Sequence, residues 1–288
     1  MLNFIGKYFR WHLSLAGKLY QEVTVRANGK LFCSLFNARA SLRGKEVRFE
    51  YNEAEKIYTA HSKKYKRYFY AKFQNYNTYS DGISERGLSL GAAYFLPRIP
   101  FEPNDVVIDC GANIGDLKLY FDEAGISVTY VGIEPSPKEY ACLAKNSAPS
   151  ETFNMGLWNE DGSLDFYVSS HNADSSFFQP VNYTDTVKIP TKRLDSVFDK
   201  PIKLLKIEAE GAEPEALAGC ERLLDRVDYI TADLGFERGR AQESTLVPVT
   251  NFLLSRNFEM VDFSSPRIVA LYRNKNAKSN AKPSSSQL

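Results

Sequence analysis

Cysteine and histidine are both scarce in this 288-residue chain, which holds four of the first and three of the second. Cys33, Cys110, Cys142 and Cys220 form no C-x-x-C pair, and so few histidines leave no ligand set for a zinc site. Their scattered spacing reads as buried thiols in a reducing compartment, not as a disulfide framework. No apolar run approaches the roughly 18 residues of a membrane span. The first residues are interrupted by Lys7, Arg10 and Lys18 and lack a small-residue cleavage site. They do not read as a secretory signal, so a cytoplasmic location is expected. Charge of one sign is lacking as well: 36 basic residues face 35 acidic ones, for a net +1. Composition therefore makes no case for nucleic acid or another highly charged partner. What remains is ordinary for a globular protein, 43% hydrophobic and 25% charged. Aromatics reach 13%, many of them within the first 100 residues.

Three regions follow one another. Residues 1–20 read as an amphipathic helix with Phe4, Ile5, Tyr8, Phe9, Trp11, Leu15 and Leu19 among basic residues. Such a helix packs on its own domain or on a second subunit, or lies on the inner face of a membrane. Residues 22–35 read as a hairpin turning at Asn28-Gly29. Residues 53–75 read as a helix in which Lys63, Lys64, Lys66, Arg67 and Lys72 interleave with Tyr58, Tyr65, Tyr68, Phe69, Tyr70 and Phe73. That run is either a helix with one solvated face or a surface for phosphates, bases or sugars. Residues 1–100 together form an N-terminal α+β appendage with acceptor or oligomer contacts.

From 101 to 274 strand and helix patterns alternate. Apolar strands are expected at 106–110, 129–133, 152–157, 203–208 and 228–234, with helices at 115–124, 137–146, 214–224 and 246–255 between and after them. Segments 258–263 and 267–273 close the series as an antiparallel hairpin. Strands apolar throughout are buried on both faces, so the fold class is α/β with a doubly wound, mostly parallel sheet. Two short strands, 164–168 and 187–190, form an insertion joined by a polar loop containing His171, Asn172, Asp174, Ser175 and Ser176. Residues 275–288 are rich in Lys, Asn, Ser and Pro and read as a disordered tail.

Chemistry gathers at three strand ends. The first is Val106-Val107-Ile108-Asp109-Cys110-Gly111-Ala112-Asn113-Ile114-Gly115. A buried strand runs into a glycine turn and then a helix, where backbone approaches a ligand and N–H groups are offered. A dinucleotide site wants G-x-G-x-x-G for the pyrophosphate. With Asn113 at the second glycine's place the turn suits a ligand with an amino-acid tail, whose cationic end Asp109 could hold. The second strand end is Gly132-Ile133-Glu134-Pro135, whose carboxylate can accept both hydroxyls of a ribose. The third is Leu204-Leu205-Lys206-Ile207-Glu208-Ala209-Glu210-Gly211-Ala212-Glu213. Strand alternation puts Lys206 and Glu208 on one face, with Glu210 in the following turn. These acids act as a general base or orient an acceptor, or else Lys206 and Glu208 form a structural pair and Glu213 favours the next helix N-terminus.

In these motifs, and in Arg-Leu-Asp-Ser-Val at 193–197, the chain resembles the FkbM-type methyltransferases over about 60% of its length, roughly residues 103–273. Glu208 departs from the family's usual L-K-I-D-x-E-G-x-E, where an Asp stands. The resemblance implies a Rossmann-like class I methyltransferase fold with S-adenosylmethionine as methyl donor and a hydroxyl as acceptor. Cofactor contacts then fall to Asp109, Gly111, Ala112, Asn113, Gly115, Glu134 and Pro135, with Gly156 and Leu157 at the end of the third strand. Glu208, Glu210, His171 and Lys206 are the catalytic candidates, with Asp233 a further base, and Asp174, Ser175 and Ser176 line the acceptor side. No residue is assigned to a metal; acids ending the fourth and fifth strands could hold Mg²⁺ but lack a third ligand. The acceptor implied is a sugar or surface-polysaccharide hydroxyl, with a natural-product hydroxyl as alternative. A non-catalytic scaffold that binds S-adenosylmethionine is the non-enzymatic rival. Methylation of nucleic-acid nitrogen is disfavoured, since no Asn/Asp-Pro-Pro-aromatic motif follows the fourth strand.

Overall fold

The computed structural model describes residues 20, 22–24, 26–70, 79–169, 175–265 and 267–277. Residues 1–19 of the expected N-terminal helix, His171, Asn172, Asp174 and the tail beyond 277 lie outside the described residues. The chain divides into two compact units, Met1–Ile83 and Ser84–Leu288. Among the described residues no helix is long and apolar enough to cross a membrane, and all four cysteines are buried and free.

In the first unit the hairpin expected over 22–35 is replaced by helix α1, Gly29–Leu42. Asn28 is extended (φ −133°, ψ 163°) and opens the helix as its N-cap residue, where a turn was expected. Phe32, Cys33, Phe36 and Ala40 are its buried residues, at helical spacing. The helix expected over 53–75 is likewise corrected. Strands β1 (Arg48–Asn52), β2 (Ile57–His61) and β3 (Lys66–Phe69) form an antiparallel sheet in the order β1-β2-β3. In β3 the basic and aromatic residues alternate in burial, with Arg67 and Phe69 inside, so the pattern has the period of a strand. Aromatic side chains favour this pleated, half-buried setting. Phe49 stacks on Phe36 at 3.6 Å and meets Phe69 edge-on at 5.1 Å, closing a small aromatic core.

Helix α2 (Ile83–Ala93), whose first residue is the last of the first unit, is followed in the second by a short 3-10 turn, Leu96–Arg98. Then follow β4 (Val106–Cys110), α3 (Lys118–Ala124), β5 (Thr129–Ile133), α4 (Pro137–Ser147), β6 (Glu151–Phe153), β7 (Gly156–Leu157), β8 (Gly162–Val168) and β9 (Asp185–Lys192). Next come α5 (Leu194–Val197), β10 (Ile202–Ile207), α6 (Glu213–Ala218), β11 (Val227–Asp233), β12 (Phe236–Arg238), β13 (Glu243–Ser244), α7 (Leu246–Ser255), β14 (Phe258–Ser264) and β15 (Val269–Asn274). The seven-stranded sheet has the order β14-β15-β11-β10-β4-β5-β6. Strands β4, β5, β6, β10 and β11 are parallel, and β15 and β14 add the antiparallel hairpin. The fold is thus the expected α/β, Rossmann-like one.

The strand expected over 152–157 breaks at Asn154. Its first part is the sheet edge β6, and its second, β7, pairs with β9 in a separate three-stranded sheet with β8. The large sheet is apolar on both faces because its residues alternate. Ile108, Val131, Leu205 and Ile230 pack into one core, Val107, Tyr130 and Leu204 into the other beside Tyr94. The chain leaves β4 towards β5 on one side and returns as β10 on the other. That reversal opens a crevice over the carboxyl ends of β4 and β10, where sheets of this type bind ligands.

Candidate functional site

The turn after β4 is held open by alternate left-handed residues: Gly111 at φ +71°, Asn113 at +50° and Gly115 at +84°. Asparagine tolerates this region better than most residues, which accounts for its place between the glycines. The N–H groups of Gly111 and Ala112 both donate to the Ile133 carbonyl, at 2.9 and 3.0 Å, and that of Asn113 donates to Glu134 Oε2 at 2.8 Å. On the other side the turn packs on β10. A Cβ on Gly111 would lie 1.8 Å from the Glu208 carbonyl oxygen.

Glu134 is 6% exposed and accepts a second N–H, from Ser136, on Oε1 at 2.9 Å. Each carboxylate oxygen keeps a lone-pair direction for a ligand donor. Burial pushes this carboxyl up to about 8 against the lowering effect of the two N–H groups. Asn154, at the break between β6 and β7, donates Nδ2 to the carbonyls of both Glu134 and Pro135 at 2.9 Å. Gly156 and Leu157 are buried: the ring of Phe177 would lie 2.3 Å from a Cβ on Gly156, and Leu157 belongs to the sheet core. The smallness of Gly156 thus serves this packing.

Asp109 and Lys206 are register partners on β4 and β10, both buried. The Lys206 ammonium lies 2.9 Å from Asp109 Oδ1 and 3.1 Å from Glu208 Oε2, and donates to the carbonyls of Gly111 (2.8 Å) and Cys110 (3.2 Å). Burial by itself would lower the lysine, but the two carboxylates hold it above its ordinary value. Asp109 also accepts the Tyr130 hydroxyl at 2.6 Å. Burial would raise Glu208, yet Lys206 and Arg267 hold it down at about 2, helped by the Tyr94 hydroxyl. The Arg267 guanidinium bridges Glu208 and Asp233, so it stands where a cation shared by those acids would sit. Among the described residues no group of three or more His, Cys, Asp or Glu side chains is placed to hold a metal ion.

The pairing of Lys206 with Glu208 bears directly on the catalytic candidates. A carboxyl held at about 2 is a poor proton acceptor, and a lysine surrounded by four oxygens has no unused role as an acid. Glu213 braces the neighbouring loop: its Oε1 accepts the N–H groups of Ala209 and Gly211, and its Oε2 the hydroxyl of Thr245. That loop carries Glu210, a non-glycine residue at φ +50°.

Glu210 lines a cavity of about 510 Å³ together with Tyr183, Thr184, Phe236, Glu237 and Gln242. Glu237 is raised by loss of solvent and then by the carboxylates of Asp233, Glu208 and Glu213. The hydroxyls of Ser175 and Ser176 serve the insertion loop. Ser175 accepts the Ser169 N–H at 2.9 Å, while Ser176, 2% exposed, donates to the Glu210 carbonyl at 2.8 Å. Tyr94, Arg267, Phe236, Tyr183 and Glu237 were not legible as site residues. The only sequence signal for Glu237 is its place four residues after Asp233, across a glycine.

A family model described as the methyltransferase FkbM domain matches residues 109–260. "Methyltransferase 1" of Beauveria bassiana is 25% identical over 198 residues, covering 58% of this chain and 79% of that protein. "2-O-methyltransferase NoeI" of Sinorhizobium fredii is 22% identical over 180 residues, covering 54% of this chain and 74% of that protein. Among solved structures, a methyltransferase FkbM from Methylobacillus flagellatus superposes with a TM-score of 0.45 at 18% identity. The match covers 61% of this chain and 44% of that one, so this chain spans less than half of that structure's length.

Proposed function

The chain belongs to the FkbM methyltransferase-domain family, and we propose on that footing that it moves a methyl group from S-adenosylmethionine to a hydroxyl of a sugar or surface polysaccharide. One observation supports the donor most: the Gly111–Gly115 turn is drawn between the ends of β5 and β10 with the buried Glu134 carboxylate beneath it. The donor's chemistry is an electrophilic methyl on a sulfonium. Glu134 receives the ribose hydroxyls on its two remaining lone-pair directions, and Gly111 lets the main chain come close to the ligand. Asp109 and Lys206 act as positioning residues, since the ammonium fixes the Gly111 carbonyl. In transfer the acceptor oxygen forms its bond to the methyl carbon, the carbon–sulfur bond breaks, and the acceptor's proton leaves to a base. Glu210, at the cavity wall, is the described candidate for that proton outside the ion pairs of Lys206 with Glu208 and of Arg267 with Glu208 and Asp233. A hydroxyl acceptor is also what the name of the similar 2-O-methyltransferase NoeI suggests.

Calorimetric titration tests the donor. The full chain is expected to bind S-adenosylmethionine saturably and NADH not at all. Glu134→Ala is expected to weaken the first at least tenfold, because two hydrogen bonds to a charged group are lost, at roughly 1.5–3 kcal/mol each. Folded protein that ignores S-adenosylmethionine, or binds NADH equally well, would sink the reading in favour of a scaffold or a dehydrogenase.

The raised Glu134 gives a pH signature. Ligand hydroxyls donate to the ionised carboxylate, so binding competes with its proton. Affinity for adenosine, which has no group titrating near neutrality, should rise with pH up to about 8 and then level off, by no more than about tenfold per pH unit. In Glu134→Gln the dependence should vanish. A flat profile in the unaltered protein contradicts the assignment.

A further inference from the structure

The net charge of +1 conceals an uneven division. Residues 1–83 hold 15 Lys and Arg against 6 Asp and Glu, a net +9, while residues 84–288 hold 21 against 29, a net −8. Such a surplus in so small a unit points to an anionic partner. The cations of its described part gather at one end. Register places Arg48 beside His61 and His61 beside Lys66, so the start of β1, the end of β2 and the start of β3 lie together. The Ser62 N–H closes the turn between β2 and β3 on the Tyr65 carbonyl at 2.9 Å, which fixes Lys63 and Lys64 at the same end. Only residues 43–47 separate the end of α1 from β1, and Lys63 reaches Glu46 among them at 3.1 Å. Among the described residues, Arg43, Lys45, Arg48, Lys63, Lys64 and Lys66 thus meet three acids there, Glu46, Glu50 and Asp81. The turn at the other end of the sheet, residues 53–56, holds Glu53, Glu55 and Lys56.

Helix α1 brings apolar surface to the same end. Phe32, Cys33, Phe36 and Ala40 form its buried row. Leu31, Leu35, Ala38 and Leu42, at i, i+4, i+7 and i+11, form a second row on another side of the helix. Leu31 is 61% and Leu42 89% exposed, Ala38 is exposed and Leu35 half-buried. Scattered exposed leucines are ordinary, but an apolar row at helical spacing is not, and this one ends among the cations. A helix that presents an apolar row flanked by Lys and Arg suits a lipid headgroup layer. It suits a nucleic acid less well. Bases stack on open aromatic faces, whereas Lys64 and Lys66 lie over the rings of Tyr65 and Tyr68 at 5.0 and 5.1 Å. The leucine row has no counterpart among phosphates.

We infer that this end of the first unit docks on an anionic phospholipid surface, with Leu42 entering the headgroup layer and Arg43, Lys63, Lys64 and Lys66 on its phosphates. Lysine and arginine near such a surface are each attracted to it, within about a Debye length. The docking is independent of the methyltransferase reading, since every residue it uses lies in the first unit.

The full chain is sedimented with vesicles of phosphatidylcholine alone and with vesicles of phosphatidylcholine and phosphatidylglycerol in equal parts. Salt is set at ~0.1 M and then ~1 M, which shortens the Debye length from about 10 Å to about 3 Å. Binding to the anionic vesicles is expected to be about tenfold or more the tighter at low salt, and the preference to vanish at high salt. Lys63→Glu combined with Lys64→Glu should weaken it by about tenfold or more, and Leu42→Ser should weaken it several-fold. Lys56→Glu makes the same kind of charge change at the far end of a five-residue strand, roughly 17 Å away, and should leave binding within about twofold. All four side chains are exposed, so thermal midpoints should not move. Binding without preference for anionic vesicles, binding indifferent to the Lys63 and Lys64 changes, or an equal fall in Lys56→Glu overturns the assignment. So does tighter binding of polyuridylate than of the anionic vesicles, which would give the surface to a nucleic acid. Salt-sensitive self-association in sedimentation velocity that needs Lys63 and Lys64, with no vesicle binding, would give it to a second copy of the chain and overturns the assignment as well.

Discussion

Replacing Lys206 by methionine is expected to lower the thermal midpoint of the second unit by roughly 10 °C, whatever it does to turnover. The methionine fills most of the lysine's volume, so the effect isolates charge. Asp109, 1% exposed, would keep only the Tyr130 hydroxyl, and Glu208 only Arg267 and Tyr94. Stranding a buried carboxylate by removing its partner costs about 3–5 kcal/mol, at roughly 2–4 °C per kcal/mol for a domain of this size. Two further results would tie the loss to the pair. Asp109→Asn combined with Lys206→Met should recover part of the midpoint, because the neutral amide no longer needs a counter-charge. Acid should also affect the two proteins differently. Glu208 is held down at about 2, so the stability its ionised form contributes is present above the usual carboxylate range and is lost as pH falls towards that value. The variant should lose less on the same descent. A Lys206→Met protein that unfolds within a degree or two of the unaltered one, yet has no turnover, would instead make Lys206 a catalytic residue.

The same ion pair shows what could be read before the fold. Lys206 and Glu208 fall on one face through strand alternation alone, and Glu134 ends its strand as the local pattern requires. These features are legible because each motif is a strand and the turn after it, within ten residues. Arg267, which shares Glu208 with Lys206, comes from the closing hairpin 59 residues on, and Tyr94 lies 173 residues before its partner Arg267. No local period carries such a meeting. The carboxylate that reads as a base from its strand end is thereby neutralised by groups that chain order hides.

In the first unit the difficulty is of another kind. Asn28-Gly29 serves equally as a hairpin turn and as a helix start, and only the spacing of Phe32, Phe36 and Ala40 decides for the helix. In Lys66-Arg67-Tyr68-Phe69 two pairs of like residues hide an alternation that burial makes plain. The walls of the cavity that Glu210 lines come from the insertion loop and from the segment after β11, so their convergence belongs to the folded chain.

Gly111→Ala is expected to cost several kcal/mol of stability and to abolish measurable cofactor binding, whereas Gly125→Ala should cost only about 1 kcal/mol. The two glycines share a left-handed backbone, φ +71° and +67°, so the conformational penalty of a side chain is alike at both. They differ in what the new Cβ meets. Around Gly125, the residue ending α3, there is nothing within 4 Å. At Gly111 the Cβ would stand 1.8 Å from the Glu208 carbonyl oxygen and 3.0 Å from its carbon, both main chain. Neither side can yield easily. The Glu208 N–H is bonded to the Cys110 carbonyl at 3.1 Å, the Gly111 N–H to Ile133, and the Gly111 carbonyl to Lys206. Relief therefore requires β4 and β10 to part at their carboxyl ends, which displaces the turn from Glu134 and undoes the Asn113 bond. Urea denaturation and calorimetry of the two variants separate the clash from the backbone penalty. Equal losses of stability in both, with cofactor affinity retained in Gly111→Ala, would show that the close approach of this turn to β10 has no part in holding the ligand.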